Sequence, residues 1–302
     1  MLCQREPGVV CGIGQLVVSL YQYPEVYAAL RAPDEDLLPK VQRAIARLMP
    51  GVLHAERTCH ARHDGRFRSV MDPACGPGNW LEPFVEDWFI AGNDLEPAMI
   101  EAADRVLAAA PRELVVGDMR DLRFESGPFD LALEIAGTAS IWTDPKDLRD
   151  HFRSVASHLV PGGLFLVTLI YETETTRRRD EITMPMVTHE AGPVATRPEH
   201  RAASDRSSRT RVGMAGEAWV RYEIVGFNEE SRAERIRRTV RTRGVPRCPE
   251  TIQEEYEMRF WTPQEVQNLV DSCPELDLVD GDALGDAETD PLGERVLALR
   301  RI

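Results

Sequence analysis

A chain of 302 residues, 43% of them hydrophobic and 28% charged, is long enough to bury one sizeable core and a smaller appended unit. Its formal net charge of -14 would repel phosphate backbones and anionic lipid, so the expected partner is a small molecule and not nucleic acid or a membrane surface. Six scattered cysteines (Cys3, Cys11, Cys59, Cys75, Cys248, Cys273) form no C-x-x-C pair and no metal-ligand spacing, which points to reduced thiols in a cytoplasmic protein that holds no metal.

The apolar stretch from Gly8 to Leu20 is interrupted by Gly12, Gly14 and Gln15 and lacks a small-x-small cleavage site, so it does not read as a leader. No apolar run reaches the length of a membrane span. From Phe67 onward, strands and helices alternate. Arg68 to Asp72 predicts a strand closed by Pro73 and a Cys-Gly-Pro-Gly turn, and Trp80 to Glu86 predicts a helix. A second strand, Phe89 to Asp94, precedes a helix opened by Pro97 and carried by Met99, Ile100, Ala103, Val106 and Leu107 at helical spacing. Leu114 to Asp118 and Phe129 to Glu134 predict the third and fourth strands, and Asp147 to Leu159 a helix. The Pro161-Gly162-Gly163 turn then leads into Leu164 to Ile170, whose nearly continuous apolar character suits a central strand buried on both faces.

At Glu172 the pattern changes. About forty polar residues, opened by Arg177-Arg178-Arg179, read as a loop or lid. Ala218 to Phe227, Ala233 to Thr242 and Ile252 to Phe260 then predict a three-stranded antiparallel unit. Thr262-Pro263 caps a helix through Val266, Leu269 and Val270, and Leu276 to Val279 and Val296 to Leu299 predict two closing strands. The expectation is an α/β fold: a doubly wound, mostly parallel seven-stranded sheet with an antiparallel β insert after the fifth strand. The expected division is a sheet domain of residues 1–171 and 261–302, with 1–66 as an N-terminal helical cap. Residues 172–260 are expected to form an inserted unit.

The most informative segment is Met71-Asp72-Pro73-Ala74-Cys75-Gly76-Pro77-Gly78-Asn79, where a strand ends in an acid followed by a glycine turn that lets a ligand approach the backbone. Asp94 closes the next strand, where one carboxylate can accept both hydroxyls of a ribose. Gly117-Asp118-Met119 closes the third strand, Glu134 to Thr138 the fourth, and Pro161-Gly162-Gly163 precedes the fifth. This succession resembles the class I methyltransferases, whose first motif reads D-x-x-C-G-x-G.

The resemblance implies S-adenosyl-L-methionine as cofactor, bound by Asp72, Ala74, Cys75, Gly76, Gly78 and Asn79. It places Asp94 at the ribose, Asp118 and Met119 at the adenine, and Glu134 toward the reacting methyl, with Leu95, Met99 and Arg120 as adjoining contacts. A nicotinamide or flavin site would want a third glycine where Leu81 stands, and Asp72 would repel a pyrophosphate while suiting an ammonium and a sulfonium. The layout of the insert and of Glu255 to Val266 resembles the amino-sugar and glycine N-methyltransferases, which cover their acceptor pocket this way. The implied activity is methyl transfer to nitrogen or oxygen of a small molecule in natural-product metabolism. C-methylation or a non-methylating cyclase or regulatory role on the same fold is the alternative, and a homodimer is an admissible assembly.

Two further side chains are candidates for the chemistry. Tyr27, in Tyr21-Gln-Tyr23-Pro-Glu-Val-Tyr27, resembles the tyrosine that the family's first helix brings to the site, or it packs that helix on the sheet. His189 beside Glu190 is the candidate base if the acceptor is a hydroxyl, whose proton must leave. His151 and His158 lie on an amphipathic helix and read as surface or packing residues. Glu134 either orients an amine acceptor or grips the cofactor's ammonium. The arginines between Arg177 and Arg247 form a solvated loop face, or clamp an acidic group on the acceptor.

Overall fold

The computed structural model describes residues 19–31, 37–50, 68–172, 189–191, 215–285 and 293–302. Most of the polar lid that follows Glu172 and most of the predicted N-terminal cap lie outside these residues. Strands β1 (Arg68–Asp72), β2 (Trp88–Asp94), β3 (Arg112–Val116), β4 (Phe129–Glu134), β5 (Leu159–Ile170), β10 (Leu276–Asp280) and β11 (Glu294–Arg301) form one sheet. Its order is β10-β11-β5-β4-β1-β2-β3. Strands β1 to β5 pair in parallel, and β11 runs antiparallel to both β5 and β10. The direction of winding reverses between β1 and β4, which opens a crevice at their carboxyl ends where open α/β sheets bind ligands.

Each face of the sheet is covered because its strands are apolar on both sides. Helices α2 (Leu37–Leu48) and α3 (Pro97–Val106) contribute Val41, Ile45, Ala103 and Val106 to a core with Val70, Ile90, Leu131 and Leu166. On the other face α4 (Pro145–Ser157) and α5 (Pro263–Asp271) bring Phe152, Val155, Val266 and Leu269 against Met71, Phe129, Phe165 and Leu297. Most of these side chains are fully buried, each worth roughly 1.5–3 kcal/mol of transfer free energy.

Three details differ from expectation. Trp80 to Glu86 forms no α-helix: Pro83, lacking an N–H, sits inside the expected helix, and the chain makes a single 3-10 turn at Glu82–Phe84 that buries Trp80, Leu81 and Phe84. Strand β3 ends two residues early, at Val116, so Gly117 and Asp118 already belong to the loop. Pro161-Gly162-Gly163 is not a turn ahead of β5 but an irregularity within it, where the register against β4 jumps from Phe129↔Leu159 to Leu131↔Leu164 and Gly162 takes a φ of +81°.

A second, four-stranded antiparallel sheet follows, in the order β6 (His189–Ala191), β7 (Glu217–Asn228), β8 (Ala233–Arg243), β9 (Thr251–Arg259). It has one strand more than the sequence pattern gives. Its apolar face packs on helix α1 (Pro24–Leu30) and the turn before it, with Leu20 of that turn and Val26 and Leu30 of α1 meeting Ala218, Val220, Val240 and Ile252. The chain leaves the main sheet at Tyr171 and returns at Trp261, and these residues form a parallel bridge. The insertion therefore springs from the carboxyl edge of β5, the same edge as the crevice.

Glu265 fastens the two units together. One carboxylate oxygen accepts from Thr262 N and Oγ1 in a reciprocal cap of α5, and the other accepts from Arg259 at 2.9 Å and Arg232 at 3.2 Å. Burial raises the pKa of Glu265, but these hydrogen bonds and the Arg232 charge outweigh that and hold it below the usual carboxylate value. A depressed folded-state pKa means stability present at neutral pH and lost as pH falls through it. Thr262→Ala is expected to remove roughly 1 kcal/mol of capping energy. Glu265→Ala should cost more at pH 7 than Thr262→Ala, and the excess should shrink toward pH 3. Urea unfolding at both pH values measures this, and a pH-independent difference would show that the arginine contacts add nothing.

Candidate functional site

The crevice between β1 and β4 holds a pocket lined by Asp72, Ala74, Cys75, Gly76, Asn79, Trp80, Glu134 and Ile135 from the sheet domain and by Tyr27 and Arg31 from the N-terminal segment. Asp72, the last residue of β1, is buried and accepts the Ala74 N–H at 2.9 Å, so the carboxylate closes its own turn. Gly76 follows at φ +52°, and a Cβ there would stand 3.4 Å from the Tyr27 ring. Its N–H donates to Asp94 Oδ2 at 2.9 Å, and the Glu96 N–H donates to Asp94 Oδ1 at the same distance. Each Asp94 oxygen thus keeps a lone pair for a further donor.

The electrostatics of this pocket are dominated by acid. Burial pushes the Asp72 carboxyl well above the usual range, and the neighbouring charges of Glu134 and Asp94 push it further against the Ala74 hydrogen bond. Burial likewise pushes Asp94 up to about 6, against the N–H donors of Glu96 and Gly76. Glu134 is buried too, one of its oxygens bonded to His151 and the other, Oε1, without a hydrogen-bond partner among the described residues. Buried carboxylates crowded in this way are stabilised by a cation, and the orphaned oxygen is an acceptor that a ligand ammonium could satisfy. Residues of this kind fit a ligand with an ammonium and a sulfonium.

Opposite the acids stands Arg31, the one cationic side chain of the pocket lining among the described residues. It makes no ion pair among those residues and lies over the Tyr222 ring at 5.4 Å. Burial disfavours its charge, but the neighbouring phenols of Tyr222, Tyr27 and Tyr256 carry its pKa above the usual arginine value. Further along the edge, Asp118 receives the Arg120 guanidinium, which also bridges to Asp147 at 2.7 Å and stacks 4.5 Å over Trp142. Leu95 and Val116, at the ends of β2 and β3, leave large apolar side chains exposed beside these polar groups, a surface suited to a flat aromatic base.

Residues 70–163 match the family model described as a methyltransferase domain. A dTDP-4-amino-2,3,4,6-tetradeoxy-D-glucose N,N-dimethyltransferase of Saccharopolyspora spinosa is 33% identical over 147 residues, 48% of this chain and 57% of that protein. A dTDP-3-amino-3,4,6-trideoxy-alpha-D-glucopyranose N,N-dimethyltransferase of Streptomyces venezuelae is 31% identical over 131 residues, 40% and 54% of the two chains. The chain thus spans little more than half the length of these curated relatives. Among solved structures, the sugar N-methyltransferase KedS8 of a Streptoalloteichus species superposes with a TM-score of 0.63 at 16% identity, covering 98% of each chain.

The fold is that of a class I methyltransferase. The methyltransferase motif residues divide by position. Asp72, Ala74, Cys75, Gly76, Asn79 and Glu134 line the pocket, and Asp94 lies directly behind Gly76. Gly78 does not line it: at φ +88°, an added Cβ would stand 3.2 Å from Leu107, so this glycine admits the end of α3. Met99 is a fully buried α3 side chain, and Met119 is buried in the core beneath α4. Cys75 is a buried thiol whose pKa burial pushes well up, which leaves it unreactive. His189 opens the edge strand β6, opposite Val220 of β7. Arg31, His151 and Trp80 are residues of this site that the motif pattern does not single out. Among the described residues, no cluster could hold a metal ion and no helix is long and apolar enough to cross a membrane.

Proposed function

We propose that the protein transfers methyl groups from S-adenosyl-L-methionine to the amine nitrogen of a small, sugar-like molecule. The observation that carries this reading is the convergence of three carboxylates at the β1–β4 crevice: Asp72 and Glu134 line the pocket, Asp94 lies behind Gly76, and the charges of Glu134 and Asp94 add to burial in raising Asp72. Both curated relatives are amino-sugar N,N-dimethyltransferases, which supports nitrogen as the acceptor atom.

In this reading Asp72 and Glu134 hold the cofactor's ammonium, Arg31 pairs with its carboxylate, Asp94 accepts the ribose hydroxyls, and Leu95 and Val116 flank the adenine with Asp118. Bound there, the cofactor supplies a sulfonium methyl that is already electrophilic. The protein then has to align acceptor and methyl and keep water out, and orientation alone can supply on the order of 7–11 kcal/mol. Burial, reinforced by Tyr21, pushes the Tyr27 phenol far above its usual value, so it stays protonated at neutral pH. It is suited to orienting an amine by hydrogen bonding and unsuited to removing a proton from a hydroxyl. The antiparallel sheet, held to α1 at the same edge, roofs the acceptor.

Incubation with methyl-labelled S-adenosyl-L-methionine and nucleotide-linked sugars bearing either a free amine or only hydroxyls tests the reading. Label is expected on the amine, once or twice per molecule. Label on oxygen, or no transfer to any sugar amine, would overturn the acceptor assignment.

A further inference from the structure

His151 sits on the inner face of α4, fully buried, with its ring edge-on to Phe152 and Phe165 at 5.9 and 6.0 Å. Its Nδ1 is 3.1 Å from the Met119 carbonyl oxygen and its Nε2 is 2.7 Å from Glu134 Oε2. A carbonyl only accepts, so Nδ1 carries a hydrogen. With the Nδ1 proton fixed there, a neutral imidazole would set the bare Nε2 lone pair against a carboxylate. The 2.7 Å contact therefore requires a proton between Nε2 and Glu134. The ionised arrangement, imidazolium with carboxylate, puts the negative end on a residue that lines the pocket and the positive end behind it, among the aromatic side chains of the core.

We propose that His151 is a positioning residue of the donor site: as a buried imidazolium it keeps Glu134 ionised at the pocket and ties it, through the Met119 carbonyl, to the segment after β3. This rests on the reading of Glu134 as a holder of the cofactor's ammonium. One histidine then couples the two halves of the cofactor cradle, the β4 end and the Asp118–Met119 loop. It also removes Glu134 from the list of proton acceptors, since a second proton on the pair would leave a buried net positive charge beside a sulfonium.

The charged surroundings agree with the ionised form. Facing the His151–Glu134 pair are Asp118 from the loop after β3 and Asp72 from β1, with the Arg120 cation paired to Asp118 and to Asp147 of α4. Burial works against the His151 cation, but the charge and hydrogen bond of Glu134, the Met119 carbonyl and Asp118 outweigh it and raise its pKa above the usual histidine value.

Two measurements on the full chain test this. In wild-type protein labelled with nitrogen-15 at histidine, both His151 ring nitrogens should give protonated, imidazolium-type signals from pH 5.5 to 8, before any ligand is added. A neutral His151 at pH 7 overturns the ion pair. Calorimetry then compares S-adenosylhomocysteine binding by wild type and His151→Gln, which keeps a hydrogen-bond donor but not the charge. Without the charge partner behind it, the carboxylate of Glu134 is no longer stabilised at the pocket, so His151→Gln should bind about tenfold more weakly at pH 6 and recover to within about threefold at pH 8.5. A ratio that stays constant with pH, or equals one throughout, overturns the role while leaving the donor-site reading standing. A wild-type protein that binds no S-adenosylhomocysteine overturns the donor-site reading, and the role with it.

Discussion

Asp94→Ala is expected to weaken S-adenosylhomocysteine binding by about a hundredfold or more, because two charge-assisted hydrogen bonds, each worth roughly 1.5–3 kcal/mol, are lost together. The carboxylate is placed for them: its two oxygens each hold one backbone N–H, from Gly76 and Glu96, and keep one lone pair free. The same geometry sets a pH dependence. Burial raises the Asp94 pKa to about 6 in spite of those N–H donors. As pH falls through that value the free protein takes up a proton there, and affinity should fall with it. The sign for stability is opposite. A carboxyl whose folded pKa lies above its unfolded one stabilises the fold below the unfolded value, and that contribution is lost as pH rises through about 6. Ligand binding above pH 6 therefore relieves a strain that the empty site carries, and the melting temperature should rise more on adding ligand at pH 8 than at pH 5. Calorimetry showing unchanged affinity in Asp94→Ala would remove this residue from the site. Preferential binding of NAD would remove the cofactor assignment altogether.

Much of this arrangement is legible in the sequence because strand ends are marked locally. β1 and β4 occupy the predicted residues, since an apolar run stopped by an acid and a glycine or proline leaves little freedom. The acids at 72, 94 and 134 follow directly, because in a doubly wound sheet the carboxyl ends of the strands share one edge. The boundary of β3 is less legible because its residues are only partly buried and Gly117 carries no pattern of its own. The insert is recognisable as antiparallel, but its fourth strand is three residues long and too short for any periodicity.

Two of the site residues that escape notice come from helices, whose rotation against the sheet is fixed by packing and not by local spacing. Arg31 lies one helical turn beyond Tyr27, so a tyrosine directed to the pocket brings an arginine after it. His151 carries a clearer signal. Leu148, His151, Phe152 and Val155 stand at i, i+3, i+4 and i+7 and are all buried. A histidine within the apolar stripe of a helix needs polar partners in the core, and the acids that end the apolar strands, Glu134 among them, are the candidates. Reading the helix as merely amphipathic treats the histidine as part of its polar face and loses that inference.

Two glycines separated by one residue should fail in different ways when substituted. Gly76 lines the pocket at φ +52°, and its missing Cβ faces the Tyr27 ring at 3.4 Å. A β-branched residue is poorly tolerated in that backbone region, and its γ-carbons would enter the space between turn and tyrosine. Gly76→Val should therefore fold with modest loss of stability and show no measurable S-adenosylhomocysteine binding. Gly78, at φ +88°, faces Leu107 at 3.2 Å and the Ala103 backbone at 3.5 Å, away from the pocket. Gly78→Ala should press on the end of α3, destabilising the protein by roughly 1–3 kcal/mol through overpacking and backbone strain while leaving affinity within a few fold at low temperature. Thermal unfolding and calorimetry on both variants separate the cases. A folded Gly76→Val protein that binds normally would move the ligand away from this turn, and a stable Gly78→Ala protein that has lost binding would assign the close approach to the wrong glycine.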